Sequence, residues 1–248
     1  MLDKIIKGKQ TKPRRTLLYG CHGVGKSTWA AQWPSPIVVP TEDGVGDIDC
    51  DKYPVCATST EAMLAVKELA SVAEHDYQTL VLDSADWLER LIWRDLCEAE
   101  GKKSIADFGY GSGYVKAAQR FERVLQEMDR ARNNPTRPMH IVILAHSSIV
   151  KFESPDGQSY DRYQPKLHKE TSAMLQEWAD EVLFACYEIS TVNQDEGFGK
   201  KRAVPLGTAK RIIRTAERPT AIAKNRLRLP ETMDLDFGAY APYLKGAK

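Results

Sequence analysis

Apolar residues in this chain fall into short continuous runs, separated by longer stretches with helical spacing. The runs cover 16–19, 36–40, 79–82, 140–145, 181–189 and 211–215, with a shorter one at 55–57. Runs of this length, rich in β-branched and aliphatic residues, predict buried strands. Between them, 27–33, 60–74, 87–98, 115–132 and 171–179 predict helices, and in 60–74 Met63, Val66, Leu69, Ala70 and Ala73 share one face. Pro34 and Pro36 stop the first helix, and Thr171 or Ser172 caps the last. Strands alternating with helices predict an α/β fold with a mainly parallel central sheet and helices on both faces. No repeat, low-complexity stretch or linker divides the sequence. Residues 1–248 therefore read as one domain, with a basic tail at 1–13 and a loosely structured tail at 228–248.

The first run leads directly into chemistry. Gly20-Cys21-His22-Gly23-Val24-Gly25-Lys26-Ser27, followed by Thr28, fits G-x-x-x-x-G-K-[ST] without a mismatch, between a strand and a helix. Glycines let such a loop turn tightly, so that backbone N–H groups point at phosphate oxygens, and the following helix adds the positive end of its dipole. Lys26 can reach the β- and γ-phosphates, and the Ser27 hydroxyl can bind Mg²⁺. The stretch is a nucleotide phosphate site, with ATP and Mg²⁺ as the expected cofactors. Thr79-Leu80-Val81-Leu82-Asp83-Ser84 is a second landmark, a buried strand ending in an acid. There Asp83 would hold Mg²⁺ through water, opposite Ser27. The run at 140–145 ends in His146, at the sheet edge where ligands bind in open α/β folds, so His146 is placed to sense the γ-phosphate or its attacking water.

Composition narrows the class. At 248 residues with 42% hydrophobic content the chain can bury a sizeable core. No apolar run approaches the ~20 residues of a membrane span, and the N-terminus lacks a signal-length apolar stretch, so a cytoplasmic protein is expected. Five cysteines, Cys21, Cys50, Cys56, Cys97 and Cys186, form no C-x-x-C pair, which predicts reduced thiols and no metal–thiolate site. The net charge of +1 conceals segregation: 41–111 carry sixteen acids against six bases, and 199–228 carry ten bases against one acid. A basic block this dense is either a solvated face or a surface for a polyanion or a neighbouring subunit. Two polar segments complete the inventory. Residues 101–113 hold four glycines, two lysines and two aromatics; 147–170 read as a mobile loop or hairpin, with Pro155-Asp156-Gly157 as its turn.

The P-loop, the run ending in Thr41-Glu42-Asp43-Gly44, then LVLDS (80–84), IVILAH (141–146) and a late AKNR (223–226) together resemble the RecA-like ATPase core. More closely, 160–185 and the ending AKNRLRLP (223–230) resemble phage-encoded ATP-binding proteins of the single-strand annealing and recombination class. The resemblance implies that Glu42 polarises the hydrolytic water, with Asp43 as the adjacent alternative, and that His146 takes the terminal position of the sensor strand. It also implies that Lys224 and Arg226 reach into the next subunit's nucleotide in a ring or filament. Residues 101–113 and 147–170 map where such proteins hold single-stranded DNA. Lys102, Lys103, Lys151, Arg162, Lys166 and Lys169 would contact phosphates, while Phe108, Tyr110, Phe152, Tyr160 and Tyr163 offer stacking faces.

The leading expectation is an ATPase that binds single-stranded DNA as a homo-oligomer and assists annealing or recombination, alongside a phage or host single-strand-binding or recombination protein. One alternative is a nucleotide-gated adaptor or loader for a helicase or recombination partner. Another is a small-molecule or nucleotide kinase, whose lid would draw on Arg120, Arg123, Arg130 and Arg132, although their helical spacing reads as a solvated face.

Overall fold

The computed structural model describes residues 5–8, 12–71, 75–154, 157–195 and 201–245. Among the described residues ten strands join one sheet: β1 Arg15–Gly20, β2 Pro36–Pro40, β3 Asp51–Lys52, β4 Thr79–Asp83, β5 His140–Phe152, β6 Tyr160–Pro165, β7 Glu181–Asp195, β8 Lys201–Arg214, β9 Lys224–Asn225 and β10 Thr232–Asp234. The order across the sheet is β10-β8-β7-β1-β5-β4-β2-β3, with β6 paired to β5 and β9 to β7. From β7 through β3 every neighbouring pair is parallel, and β8, β10, β6 and β9 add antiparallel edges. The α-helices among the described residues are α1 Lys26–Ala30, α2 Ser59–Ser71, α3 Ala85–Ala99, α4 Ser112–Arg132, α5 Lys169–Trp178 and α6 Phe237–Lys245.

Side chains alternate across a strand, so each apolar run feeds two cores. Leu17, Tyr19, Ile37, Val39, Leu80, Leu82, Ile141 and Ile143 face one side, where α2, α3, α4 and α5 supply Val66, Leu88, Phe121 and Leu175. Leu18, Val38, Val81, Val142, Leu144 and Leu183 face the other, against Trp29 and Trp33 after β1 and Tyr240 of α6. This is the α/β architecture with both faces covered that the continuous runs predict.

Several boundaries differ from expectation. The first helix is only Lys26–Ala30, because a turn leads into Pro34 and Pro36 rather than a second helical turn. Residues 55–57 form no strand; the short edge strand is Asp51–Lys52 instead. Segment 147–170 holds a hairpin and the first residues of α5: β5 leaves the parallel sheet after His146 and pairs antiparallel with β6, Ser147 opposite Pro165 and Phe152 opposite Tyr160. Pro155 and Asp156 of its expected turn lie outside the described residues, as do 72–74 of the second helix. The expectation of a loose tail at 228–248 is wrong for 232–245, which form β10 and α6. Tyr240 is fully buried there, with its ring 5.3 Å from Trp29 and 5.4 Å from Trp33.

Candidate active site

The phosphate loop hangs between β1 and α1. Gly23 (φ +69°) and Gly25 (φ +105°) take left-handed backbone conformations that a side chain would strain, and this lets the intervening peptides turn inward. Val24 between them is fully buried and pins the loop to the core. Because α1 is a single turn, the cradle rests on the loop's own N–H groups more than on a helix dipole. The Lys26 ammonium folds back to donate to the carbonyls of Gly20 (3.3 Å) and Cys21 (3.0 Å). Burial lowers its pKa, and Asp83 and Asp86 work against that shift.

Across the sheet order, Asp83 (β4) and His146 (β5) come to the same edge as the loop, joined by Glu42 just after β2. The Ser27 hydroxyl donates to Asp83 Oδ2 over 2.6 Å. Burial raises the Asp83 carboxyl, and the bond from Ser27 and the charge of Lys26 oppose the rise. A double clasp aligns the ends of β2 and β4: Thr41 Oγ1 accepts from Ser84 N (2.9 Å) and donates to Ser84 O (2.7 Å). The Asp83–Ser84 peptide at the end of β4 is cis. Ser84 Oγ then donates to Glu42 Oε1 over 2.7 Å. Burial raises the Glu42 pKa, and the Ser84 bond partly offsets it by favouring the ionised form.

Asp86, at the start of α3, takes two bonds from His146, one from its backbone N–H (3.0 Å) and one from Nδ1 (2.9 Å). Burial alone would raise Asp86, but these bonds outweigh it and hold the carboxyl below its usual range. An ionised carboxylate only accepts, so the proton sits on Nδ1. The His22 ring lies 4.2 Å from that of His146, and charge on His146, followed by burial, disfavours protonation of His22.

Gly23, Gly25, Lys26, Ser27, Thr28, Glu42, Gly44, Ile48, Asp83, His146 and Arg211 line one cavity of about 320 Å³. Glu42 thus faces the cavity, while Asp43 is exposed outside its lining. Gly20, Cys21, His22 and Val24 belong to the loop that forms its floor. Sequence reasoning missed Thr41, Ser84, Asp86 and Arg211. Asp86 was legible as a buried acid in the first turn after the Asp83 strand; Arg211 lay hidden in a basic block.

The donors suit Mg²⁺. Ser27 and Asp83 offer hard oxygen atoms that already touch, beside the phosphate loop. The remaining ligands of such an ion would come from nucleotide phosphates and water.

The other expected site residues lie elsewhere. Lys224 and Arg226 are at the opposite sheet edge, since Lys224 pairs with Val182 near the start of β7. Lys224 Nζ donates to the carbonyls of Gln176 (3.0 Å), Glu177 (3.0 Å) and Ala179 (2.7 Å) at the end of α5. Arg226 pairs with buried Asp180 at 3.1 Å. Neither reaches the nucleotide loop of its own chain. Lys102, Lys103, Lys151, Lys166 and Lys169 are exposed, and Tyr110 is entirely so. Arg162 is committed within the chain, paired with Glu217 and lying over Phe152. Tyr114 stacks flat on His168 at 4.3 Å, bringing the end of 101–113 to the foot of the hairpin. Lys166 N donates to His146 O (2.8 Å), so the hairpin closes directly on the end of the parallel part of β5.

A family model described as "AAA domain" matches residues 12–227. No curated protein matches. Among solved structures, the flagellar accessory protein FlaH of Methanocaldococcus jannaschii matches at 13% identity and a TM-score of 0.36, over 86% of this chain and 82% of that one. Among the described residues no helix is long and apolar enough to cross a membrane. With its phosphate loop, Ser27–Asp83 pair and family match over 12–227, the chain belongs to the AAA domain family and is a nucleotide-binding ATPase of the P-loop class.

Proposed function

We propose that this protein hydrolyses ATP in response to single-stranded DNA, and that it acts on DNA as an oligomer in annealing or recombination. The observation that carries the reading is the convergence of Ser27, Asp83, Glu42 and His146 on one cavity, from which the β5–β6 hairpin departs.

Lys26 and the loop N–H groups hold the β- and γ-phosphates. Ser27 and Asp83 would hold Mg²⁺, which would supply neutralisation of the phosphate charge. Glu42, oriented by Ser84, accepts a hydrogen bond from the water that attacks the γ-phosphorus. The water oxygen bonds to the γ-phosphorus as the bond from that phosphorus to the β–γ bridging oxygen breaks, the water's proton passes by way of Glu42 to the released phosphate, and ADP and inorganic phosphate leave. His146, locked by Asp86, adjoins Glu42 (3.9 Å from Nδ1 to Oε1) and begins the hairpin, so DNA held there bears on the attacking water.

Lys151, Lys166, Lys169, Lys102, Lys103 and Tyr110 supply exposed charge and a stacking face for DNA; Arg162 does not, being held by Glu217. Arg226, exposed and remote from its own loop, is the residue offered to a neighbouring subunit's nucleotide. The deciding experiment is ATP turnover with and without single-stranded DNA, for the native protein and for Lys26→Ala. Stimulation by DNA that Lys26→Ala abolishes supports the reading, and turnover indifferent to DNA overturns it.

A second reading, a nucleotide-gated adaptor for a protein partner, draws on the apolar side chains exposed on the hairpin, among them Ile149 at 60% and Val150 at 41%. Tight ATP binding with negligible hydrolysis under all DNA conditions would favour it.

A further inference from the structure

The nucleotide cavity is walled asymmetrically. In the sheet order, β5, β4 and β2 lie on one side of β1 and bring His146, Asp83 and Glu42. On the other side lie β7 and β8, and from β8 Arg211 enters the lining.

Two contacts position that arm over the loop. Arg211 and Tyr187 are cross-strand partners, so their side chains share a face. Tyr187 donates from its hydroxyl to Gly23 O at 3.4 Å. The Arg211 guanidinium overhangs Gly25 so closely that a Cβ there would lie 3.2 Å from Nη1. Behind it, Leu235 N bonds to Arg211 O at 3.1 Å, tying the end of β10 to the arm.

Several cations of the surrounding basic block are already partnered. Lys210 pairs with Asp234, Arg218 with Glu231 and Arg226 with Asp180. Among the described residues, the Arg211 guanidinium has no hydrogen-bond or ion-pair partner, although it faces a cavity built for anions. A planar five-donor fork in that position matches phosphate oxygens.

We propose that Arg211 is a nucleotide contact supplied in cis, gripping the α- and β-phosphates from the β8 side. The γ-phosphate end is fixed at the opposite wall by Lys26, Ser27, Asp83 and Glu42, so the part of the phosphate chain nearer the ribose runs toward Arg211. This assignment rests on the phosphate site alone and is independent of DNA. It also makes the β7–β8 arm a reporter of nucleotide occupancy, because the residue that grips the phosphates is built into the arm.

The test compares native protein, Arg211→Ala and Arg211→Lys in titrations with MgATP, MgADP and inorganic pyrophosphate, together with KM and kcat for ATP. Arg211 is exposed, so a matching thermal melt confirms that the variants are folded. Loss of one charge-assisted contact predicts about tenfold weaker binding of all three ligands by Arg211→Ala, a raised KM, and kcat within about twofold. Arg211→Lys, keeping charge without the fork, falls between. Unchanged affinities overturn the proposal. So does weakened ATP and ADP binding with pyrophosphate unaffected, which would place Arg211 on the base or ribose. A fall in kcat at constant KM also overturns it, since that marks a contact made only at the γ-phosphoryl group. Native protein that binds none of the three ligands would instead refute the phosphate site itself.

Discussion

The Ser27 hydroxyl donates to Asp83 Oδ2 over 2.6 Å, linking the phosphate loop to a strand two positions away in the sheet. The two oxygen atoms touch where a Mg²⁺ ion bound with nucleotide would draw on both. Ser27→Ala is therefore expected to keep its affinity for ATP in EDTA and to lose the gain in affinity that Mg²⁺ gives the native protein. Asp83→Asn should cut turnover by about 10²-fold or more, the scale on which one charge-stabilising group acts at a transition state. Calorimetric titration with and without Mg²⁺ measures the first effect; a full Mg²⁺ gain in Ser27→Ala would remove Ser27 from the metal site.

Glu42 should set the acid side of the pH–rate profile. Its burial raises the carboxyl pKa, so the ionised form that orients water is lost at a higher pH than for an ordinary glutamate. Turnover thus falls as pH drops through the raised pKa. Ser84 donates to Glu42 and favours its ionised form, so Ser84→Ala should move that acid limb further toward neutral pH without changing the plateau greatly. Glu42→Gln should retain ATP binding and lose turnover by about 10²–10⁴-fold. An acid limb at the same pH in native protein and Ser84→Ala would detach the limb from Glu42.

The nucleotide site was legible in the sequence because its parts are local. The phosphate loop is a contiguous motif, and Asp83 and His146 each end an apolar run, so a parallel sheet delivers them to one edge without further information. Thr41, Ser84 and Asp86 were not legible, because their roles depend on which strands are neighbours. Thr41 clasps Ser84 only since β2 pairs with β4. The C-terminal segment misled for a different reason. Its apolar residues follow no clear strand or helix period and Pro242 interrupts them, but Phe237 and Tyr240 meet an existing aromatic surface of Trp29 and Trp33, which supplies the burial that periodicity does not announce. Arg211 escaped notice because a paired and an unpaired arginine look alike in a basic run.

Lys224 and Arg226 should separate by phenotype. A cation on three carbonyls at the end of α5 satisfies groups that the helix leaves open and complements its dipole. Lys224→Ala is expected to cost about 1–2 kcal/mol of stability, with turnover per folded molecule unchanged. Arg226 shares Asp180 with Arg15 and Arg132, so its removal leaves that buried carboxylate paired and should change stability by less than about 1 kcal/mol. If Arg226 serves a neighbouring subunit, Arg226→Ala lowers turnover most at protein concentrations where the native enzyme assembles. Urea unfolding and turnover against concentration test both, and a Lys224→Ala protein that is fully stable yet inactive would reverse the two assignments.

His140 should make the fold sensitive to mild acid. Its Nδ1 accepts a hydrogen bond from Arg14 N at 2.9 Å, which requires the neutral ring. Burial, followed by the nearby charges of Arg14 and Arg132, pushes its pKa from 6.5 down to about 4. Between those two values the unfolded chain binds a proton that the folded chain refuses. Stability therefore declines as pH falls from 6.5 toward 4, by up to about 3 kcal/mol, and this group adds no slope above 6.5. His140→Gln removes the titration, so its stability should change less with pH across this window, even if the lost contact with Trp33 lowers the absolute value. Urea unfolding at half-unit pH steps reads the slope directly. Equal slopes in the two proteins would assign the acid sensitivity to other groups and return His140 to a packing role at the start of β5.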